Sequence, residues 1–377
     1  MNVLVLIGHP RPDSFCHALA QSYVEAMAKM DGVCVHCVDL ARIRFDPHLY
    51  EPSPRAQRLE PDLAAAKDEF LRADHVVVIF PTWWGTMPAV LKGFLDRILI
   101  PDEAFAEIGG NYCGLLKNKT AHLITTMDAP GWVYRFLYRS AGLTALKNAV
   151  FQFCGFEAVR TTRFDRVKYV SEEQRRAYLA RATREAGKTA AWRRRVLARA
   201  VAFRWMRAVR LQFYPMTLVA FLVGALLTVS RNSGTNMVTF ALGYAALFLL
   251  EVAAVFANEI GDRNTDLANQ NFGPFTGGSR VLANRELTVS QLATGVRYTA
   301  LAGTGLGAVA AAMSDKPWAL GGLFGAALIL GIGYTLSPLR LVYRTWGELN
   351  VALTHSFLMV FAGPCPSRDR SLRVLPC

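Results

Sequence analysis

The stretch Val76-Val77-Val78-Ile79-Phe80-Pro81-Thr82-Trp83-Trp84-Gly85-Thr86-Met87-Pro88 decides how the first half of this chain is read. A short, continuous apolar run bounded by turn residues predicts a strand covered on both faces. A helix is expected next, over Ala89–Ile98. Strand, loop and helix in that order form the repeating unit of a parallel sheet, and the loop then lies at the sheet's carboxyl edge. Two adjacent tryptophans in that loop cannot both face one core, and Trp suits a place where a flat surface must be met. A flat aromatic ligand meets that requirement. The alternative is one Trp in the core and one as a surface plug.

Toward the N-terminus, Val3–Ile7 is a similar buried strand, and Gly8-His9-Pro10-Arg11-Pro12-Asp13-Ser14 turns into a helix over about Ser14–Met30. Free N–H groups and the helix dipole make such a loop a phosphate site. It has neither G-x-G-x-x-G nor a Walker lysine. Its donors would be His9, Ser14 and the amides of Phe15 and Cys16, although Ser14 could equally be a simple N-cap. Val33–Val38 predicts a second strand and Asp62–Ala73 a helix. Toward the C-terminus, Thr120–Thr125 predicts a fourth strand, running into Thr125-Thr126-Met127-Asp128-Ala129-Pro130-Gly131. A helix over about Trp132–Phe151 and a strand near Phe156–Phe164 follow. The expected fold is α/β, a doubly wound parallel sheet in the flavodoxin-like order 2-1-3-4-5. The loops after strands one, three and four then line one crevice.

Three motifs carry a resemblance: G-H-P-x-x-x-S-F, P-x-W-W-x-x-x-P-A-x-L-K-G-F-x-D-R (Pro81 to Arg97) and T-T-M-D-x-P-G-W (Thr125 to Trp132). Together they resemble the flavodoxin-fold NAD(P)H:quinone oxidoreductases over roughly residues 1–165. The resemblance implies a tightly held FMN or FAD, with phosphate at His9, Ser14, Phe15 and Cys16. Pro81, Thr82, Trp83, Trp84, Gly85 and Thr86 would carry the isoalloxazine edge, and Thr125 and Thr126 would close the other side. Hydride would pass from NAD(P)H through the flavin to a quinone-like acceptor, so the protein need not supply an acid–base pair. No residue is assigned as catalytic. The resemblance also admits a homodimer through this domain.

Composition divides the chain. A mean hydropathy of +0.22 and 52% hydrophobic residues are high for a soluble protein, and the excess lies after residue 210. Ser171 to Arg210 holds twelve Lys and Arg against three Glu, a local +9 within a total of +13. A pI near 9.6 raises nucleic acid as a partner, but this charge sits just before an apolar run. Polybasic segments there meet anionic lipid and set orientation, so the expected partner is membrane lipid, with no nucleic acid. The seven cysteines are scattered, and only Cys34 and Cys37 form C-x-x-C. Buried thiols in a reducing compartment are preferred to a zinc or redox site. Met1 runs straight into the first strand with no basic leader, so the first domain is expected to stay in the cytoplasm.

Leu211–Ser230, Asn232–Leu250 (continuing to Ala257), Tyr298–Ser314 and Pro317–Leu339 read as membrane spans, with Leu349–Ser367 a fifth candidate. The second half is thus expected to be an all-α transmembrane bundle of 4–5 spans, in a bacterial inner membrane, its basic ends inside. At the inner end of the second span, Asn258, Asp262 and Asp266 recur at i, i+4, i+8 and stack on one helical face, with Glu251 two turns earlier. Such a row of oxygens calls for a cation, and Mg²⁺ shared with substrate phosphate is the usual answer. The alternative is a solvated acidic loop. Phe275-Thr276-Gly277-Gly278-Ser279-Arg280 adds a glycine-rich turn whose Arg280 suits an anion.

N-E-x-x-D-x-x-x-D, then T-G-G-S-R-V-L and Y-T-L-S-P-L-R-L (Tyr334 to Leu341), resemble the UbiA-type intramembrane prenyltransferases from about residue 205 to 363. Glu259 replaces the first Asp of their signature. The resemblance implies Mg²⁺ at Asn258, Asp262 and Asp266, an isoprenyl diphosphate reached by Arg280, and transfer of the prenyl group to an aromatic or lipid acceptor. That family has about nine spans and a second Asp-rich motif. This chain ends instead in Cys365–Cys377, which resembles nothing in the family; a frameshifted or truncated reading frame is the expected explanation. The expected domains are 1–170, a basic linker 171–210, a partial prenyltransferase 211–364 and an atypical tail 365–377. Two other arrangements stay open: a reductase on an inactive anchor, or a flavin electron carrier for a membrane partner.

Overall fold

A computed structural model describes residues 1–108, 110–230, 237–269 and 278–363. The expectations on Phe275, Thr276, Gly277 and the 365–377 tail lie outside these. The chain divides into two compact units, Met1–Val201 and Ala202–Cys377.

In the first unit, β1 (Asn2–Ile7), α1 (Phe15–Ala28), β2 (Cys34–Asp39), α2 (Pro61–Arg72), β3 (His75–Pro81) and α3 (Ala89–Ile98) alternate as the apolar runs predict. A small antiparallel hairpin of β4 (Phe105–Ile108) and β5 (Asn111–Gly114) was not expected. Then come β6 (Thr120–Thr126), a short α4 (Ala141–Ala145), β7 (Ala158–Phe164) and α5 (Glu172–Gly187). The five-stranded sheet is parallel throughout, in the order β2-β1-β3-β6-β7, which is the expected 2-1-3-4-5 once the hairpin is set aside. Every residue of β3 is buried. Val76, Val78 and Phe80 join one core layer with Leu4, Leu6 and Leu123, while Val77 and Ile79 join the other with Val3, Val5 and Ile124. Alternate residues feeding two cores is why the run is continuously apolar.

The single helix expected over Trp132–Phe151 is instead two π-helical segments, Val133–Leu137 and Leu146–Gln152, around α4. Arg139 and Ser140 between them take left-handed φ of 50° and 51°. The break has a tertiary cause. Gly142 lies against the Gly85 carbonyl, where a Cβ would also come within 2.7 Å of Thr86 Cα.

The linker is two helices, α5 and α6 (Thr189–Val209), separated at Lys188. Arg193 of α6 donates to Asp74 Oδ1 at 3.3 Å and to the Asn118 carbonyl at 3.0 Å, so this arginine, read as juxtamembrane, secures the first unit.

The second unit is helical: α7 (Tyr214–Ser230), α8 (Met237–Gly261), α9 (Arg263–Ala268), α10 (Val289–Ala312), α11 (Pro317–Gly333), α12 (Gly347–Ala352) and α13 (Met359–Ala362). Among the described residues, two helical stretches, Thr189–Leu227 and Met237–Gly261, are long and apolar enough to cross a membrane. The helix expected as a third span begins earlier, at Val289, and is not one of these two stretches; the fourth ends at Gly333 rather than Leu339 and is a shorter apolar helix. The fifth is interrupted by a π-helical segment, Leu353–Leu358.

Candidate functional site

At the carboxyl edge of the sheet, three loops come together through hydrogen bonds that cross between strands. The Gly8 N–H donates to the Ile79 carbonyl at 2.8 Å, holding the first loop to β3. The Thr82 N–H donates to the Thr126 carbonyl at 2.7 Å, and the Thr82 and Thr125 hydroxyls lie 2.6 Å apart. Cys16 Sγ and Thr126 Oγ1 lie 3.4 Å apart in the interior. His9, Ser14, Phe15, Cys16, Pro81, Thr82, Trp83, Trp84, Gly85, Thr86, Thr125 and Thr126 thus sit on three consecutive loops of one sheet edge.

The tryptophan loop is a tight turn. Trp83 and Thr86 exchange backbone hydrogen bonds at 2.8 and 3.0 Å, while Trp84 and Gly85 take left-handed φ of 50° and 77°. Those are the signs of a type I′ turn, in which glycine is easy and Trp is strained. Trp84 is fully exposed and Trp83 half-exposed, so neither is a core residue. His9 meets Trp83 edge-on, ring centroids 5.6 Å apart. A bulky aromatic held at positive φ with its whole face in solvent contributes nothing to packing. It presents a flat surface at the crevice mouth.

At the first loop, Ser14 precedes α1, whose opening N–H groups lack intrahelical acceptors. The His9 imidazole is buried, which lowers its pKa from the ordinary 6.5 and keeps it neutral, and the Arg11 N–H donates to Nδ1 at 3.0 Å. Burial pushes the Cys16 thiol up to about 11, so it packs as a neutral group. His17 Nδ1 lies 2.8 Å from Ser14 Oγ, and Nε2 3.1 Å from Asp39 Oδ2. His17, Asp39 and Tyr134 buttress this site and were missed. The Tyr134 hydroxyl donates to the Gly85 carbonyl at 3.2 Å and accepts the Leu143 N–H at 3.2 Å. Only knowledge of the broken helix would have revealed that.

In the second unit, the acidic row departs from one continuous helix. α8 ends at Gly261, Asp262 takes φ −87° and ψ 4°, and α9 restarts at Arg263. The i→i+4 backbone bonds nevertheless persist, from Asp262 to Asn258 and from Asp266 to Asp262, both at 2.8 Å. Asn258, Asp262 and Glu259 already have protein partners. Thr335 donates to Asn258 Oδ1 at 2.9 Å, and the Tyr343 hydroxyl to Asp262 Oδ1 at 2.8 Å. Glu259 is buried and accepts Arg210 Nη2 at 2.9 Å. Burial, reinforced by Glu259, raises the Asp266 carboxyl to about 6. Among the described residues no group of three or more His, Cys, Asp or Glu side chains converges as a metal centre. Arg280 is buried, and its Nη1 donates to the carbonyls of Asp266 and Asn269 at 2.8 and 3.1 Å, so it braces backbone. Arg210, read only as juxtamembrane charge, is instead the guanidinium lining a cavity of about 390 Å³ with Asn258, Glu251, Asn350 and His355.

Comparison with known proteins bears on the first half. A family model described as flavodoxin-like fold matches residues 1–189. An uncharacterized NAD(P)H oxidoreductase of Haemophilus influenzae is 32% identical over 184 residues, covering 48% of this chain and 91% of that protein. The ribosyldihydronicotinamide dehydrogenase (quinone) of Rattus norvegicus is 29% identical over 206 residues, covering 47% of this chain and 87% of its own. Among solved structures, Smu.1420 from Streptococcus mutans UA159 is similar at 27% identity and a TM-score of 0.46, covering 50% of this chain and 100% of that one.

Proposed function

The chain belongs, over residues 1–189, to a family of flavodoxin-like fold, and from that premise we propose that its first unit is a flavin-dependent oxidoreductase passing hydride from NAD(P)H to a quinone-like acceptor. One observation carries the reading: the exposed Trp83–Thr86 turn is clamped to the sheet edge beside a helix N-terminus with His9 and Ser14 at its mouth. Bound flavin, FMN or FAD, would supply the two-electron chemistry. The chain's own residues would bind and orient it. His9, Ser14 and the amides of Phe15 and Cys16 would take phosphate, and Trp83, Trp84, Gly85 and Thr86 would lie along the ring. Thr82, Thr125 and Thr126 would fix the spacing between the loops. A pairing of two copies through this domain would follow the same reading.

For the second unit the reading is narrower. The two long apolar stretches, Thr189–Leu227 and Met237–Gly261, support a membrane location, and the basic residues ahead of the uncharged run in the first favour the first unit on the cytoplasmic side. The cavity that joins Asn258 and Arg210 to an apolar interior supports a site for a lipophilic anion of the isoprenyl diphosphate class. Asp262 and Asp266 offer two carboxylates, a set that suits Mg²⁺ only when substrate oxygens complete the shell.

Purification of the full chain in detergent tests both. A yellow flavin spectrum bleached by NAD(P)H, with turnover of a soluble quinone, is the expected result; a colourless protein overturns the first reading. Release of diphosphate from a polyprenyl diphosphate with Mg²⁺ and an aromatic acceptor is expected of the second. Without it, the second unit is an anchor.

A further inference from the structure

The C-x-x-C of the second strand does not act as a pair. Cys34, His36 and Val38 share one parity of β2, and Val38 enters the core layer formed with α2; Val35 enters the opposite layer, and Cys37 shares its parity. The two thiols therefore lie on opposite faces of an edge strand. Cys34 has a different neighbour. Its Sγ lies 3.2 Å from His36 Nε2, and His36 Nδ1 lies 3.2 Å from Glu69 Oε2 on α2.

That is a nucleophile, a base and an orienter joined in series. The carboxylate on Nδ1 fixes the tautomer with the proton on that nitrogen, so Nε2 presents its lone pair to the thiol. Both ends are anchored. Cys34 is held in the sheet by its N–H to the Met1 carbonyl at 2.9 Å, and Glu69 is steadied by Arg72 Nη1 at 3.6 Å. A shallow cavity of about 100 Å³, lined by His36, Glu69, Arg72 and Asn2, adjoins the group, and Cys34 itself is exposed. Of the other described cysteines, Cys16 and Cys154 are buried and pushed up to about 11 by burial, and Cys113 is half-buried. Cys37 is exposed like Cys34, but it lies on the opposite face from His36 and its thiol is raised by partial desolvation. β2 begins at Cys34, so the group lies at the amino edge of the sheet, away from the flavin loops.

We propose that Cys34, with His36 as its base and Glu69 as the orienter, is a modification site for soft carbon electrophiles of the quinone or α,β-unsaturated carbonyl class. The thiol proton moves to His36 Nε2, and Sγ forms a bond to the ring carbon β to a carbonyl. The displaced π pair travels to the carbonyl oxygen, which takes the proton back from His36. With a quinone, tautomerisation leaves a hydroquinone thioether. The elements of R–S–H have added across the ring; no atom leaves and no outside oxidant or reductant is required. This goes beyond the oxidoreductase reading and does not depend on flavin.

The test is labelling of the full chain in detergent with less than one equivalent of 1,4-benzoquinone, and separately iodoacetamide, followed by peptide mass mapping. The expected result is that Cys34 carries most of the label, reacting about tenfold faster than Cys37 at pH 7. His36→Gln should remove most of that advantage and Glu69→Gln part of it, with unfolding midpoint and flavin content unchanged in both. Equal labelling of Cys34 and Cys37, or a Cys34 rate that His36→Gln leaves unaltered, overturns the proposal. A flavin-free protein that still labels selectively at Cys34 would count against the reductase reading alone.

Discussion

The Tyr134 hydroxyl holds the Gly85 carbonyl at 3.2 Å, tying the tryptophan turn to the segment where an expected helix breaks. The same turn is crowded from that side by Gly142. Tyr134→Phe removes one neutral hydrogen bond, about 1 kcal/mol, and should weaken flavin retention roughly fivefold. Gly142→Ala should weaken it more, because the clash is with backbone that has nowhere to go. Flavin titration of the apoprotein measures both; equal retention in all three proteins contradicts the bracing role.

Trp84→Ala separates site from scaffold. The side chain is fully exposed, so the unfolding midpoint should stay within about 0.5 kcal/mol of the parent. If Trp84 meets the flavin or its acceptor, Kd or KM should rise about tenfold, a stacking contribution near 1.4 kcal/mol. No change in either constant removes Trp84 from the site.

The Thr82–Thr125 contact is structural. Thr125 is buried and its hydroxyl lies 2.6 Å from that of Thr82, so Thr125→Val removes that partner. Thr82 is only part-buried and its hydroxyl can turn to water, so a loss of about 0.5–1.5 kcal/mol in denaturant unfolding is expected.

His9 gives the first unit a pH signature. Burial lowers its folded pKa below the ordinary 6.5, so below that value the unfolded chain binds more protons than the folded one. Its contribution to stability is therefore complete above about pH 6.5 and is lost as pH falls through that value toward the lowered folded pKa. His9→Gln should flatten the unfolding midpoint between pH 7 and 5. An unaltered slope would show that another group governs it.

Arg210 and Glu259 form the pair on which the second unit's acidic end depends. Arg210→Ala leaves a buried carboxylate without its cation and should cost about 3–5 kcal/mol, with much of the loss recovered in the Arg210→Ala, Glu259→Gln double variant. Thermal unfolding in detergent reads both.

What the sequence disclosed, and what it hid, follows from range. β1 and β3 were legible because a strand buried on both faces leaves an unbroken apolar run, whereas β6 is as fully buried but reads Thr-Ala-His-Leu-Ile-Thr-Thr; the loops after all three inherit their position from the sheet's handedness and order. The β4–β5 hairpin was not, because four-residue strands such as Phe105–Ile108 offer no window for periodicity. The broken helix depended on Gly142 meeting Gly85, a contact 57 positions apart in sequence that no local pattern encodes. Arg280 braces the Asp266 and Asn269 carbonyls and Arg210 lines the cavity for the same reason. Charge and glycine spacing announced anion-binding arginines, but only folding decides which one lines a cavity and which one braces carbonyls.

Trp84 at φ 50° also sets a direction for selection. Asn or Gly at that position would relieve a left-handed strain of about 1–2 kcal/mol, partly offset for Gly by its larger entropy loss, and so raise stability. A library sorted only for heat resistance should therefore drift away from Trp at 84, while one sorted for turnover should keep it. Divergence between the two at a single codon would be a genetic record of what that strained aromatic is for.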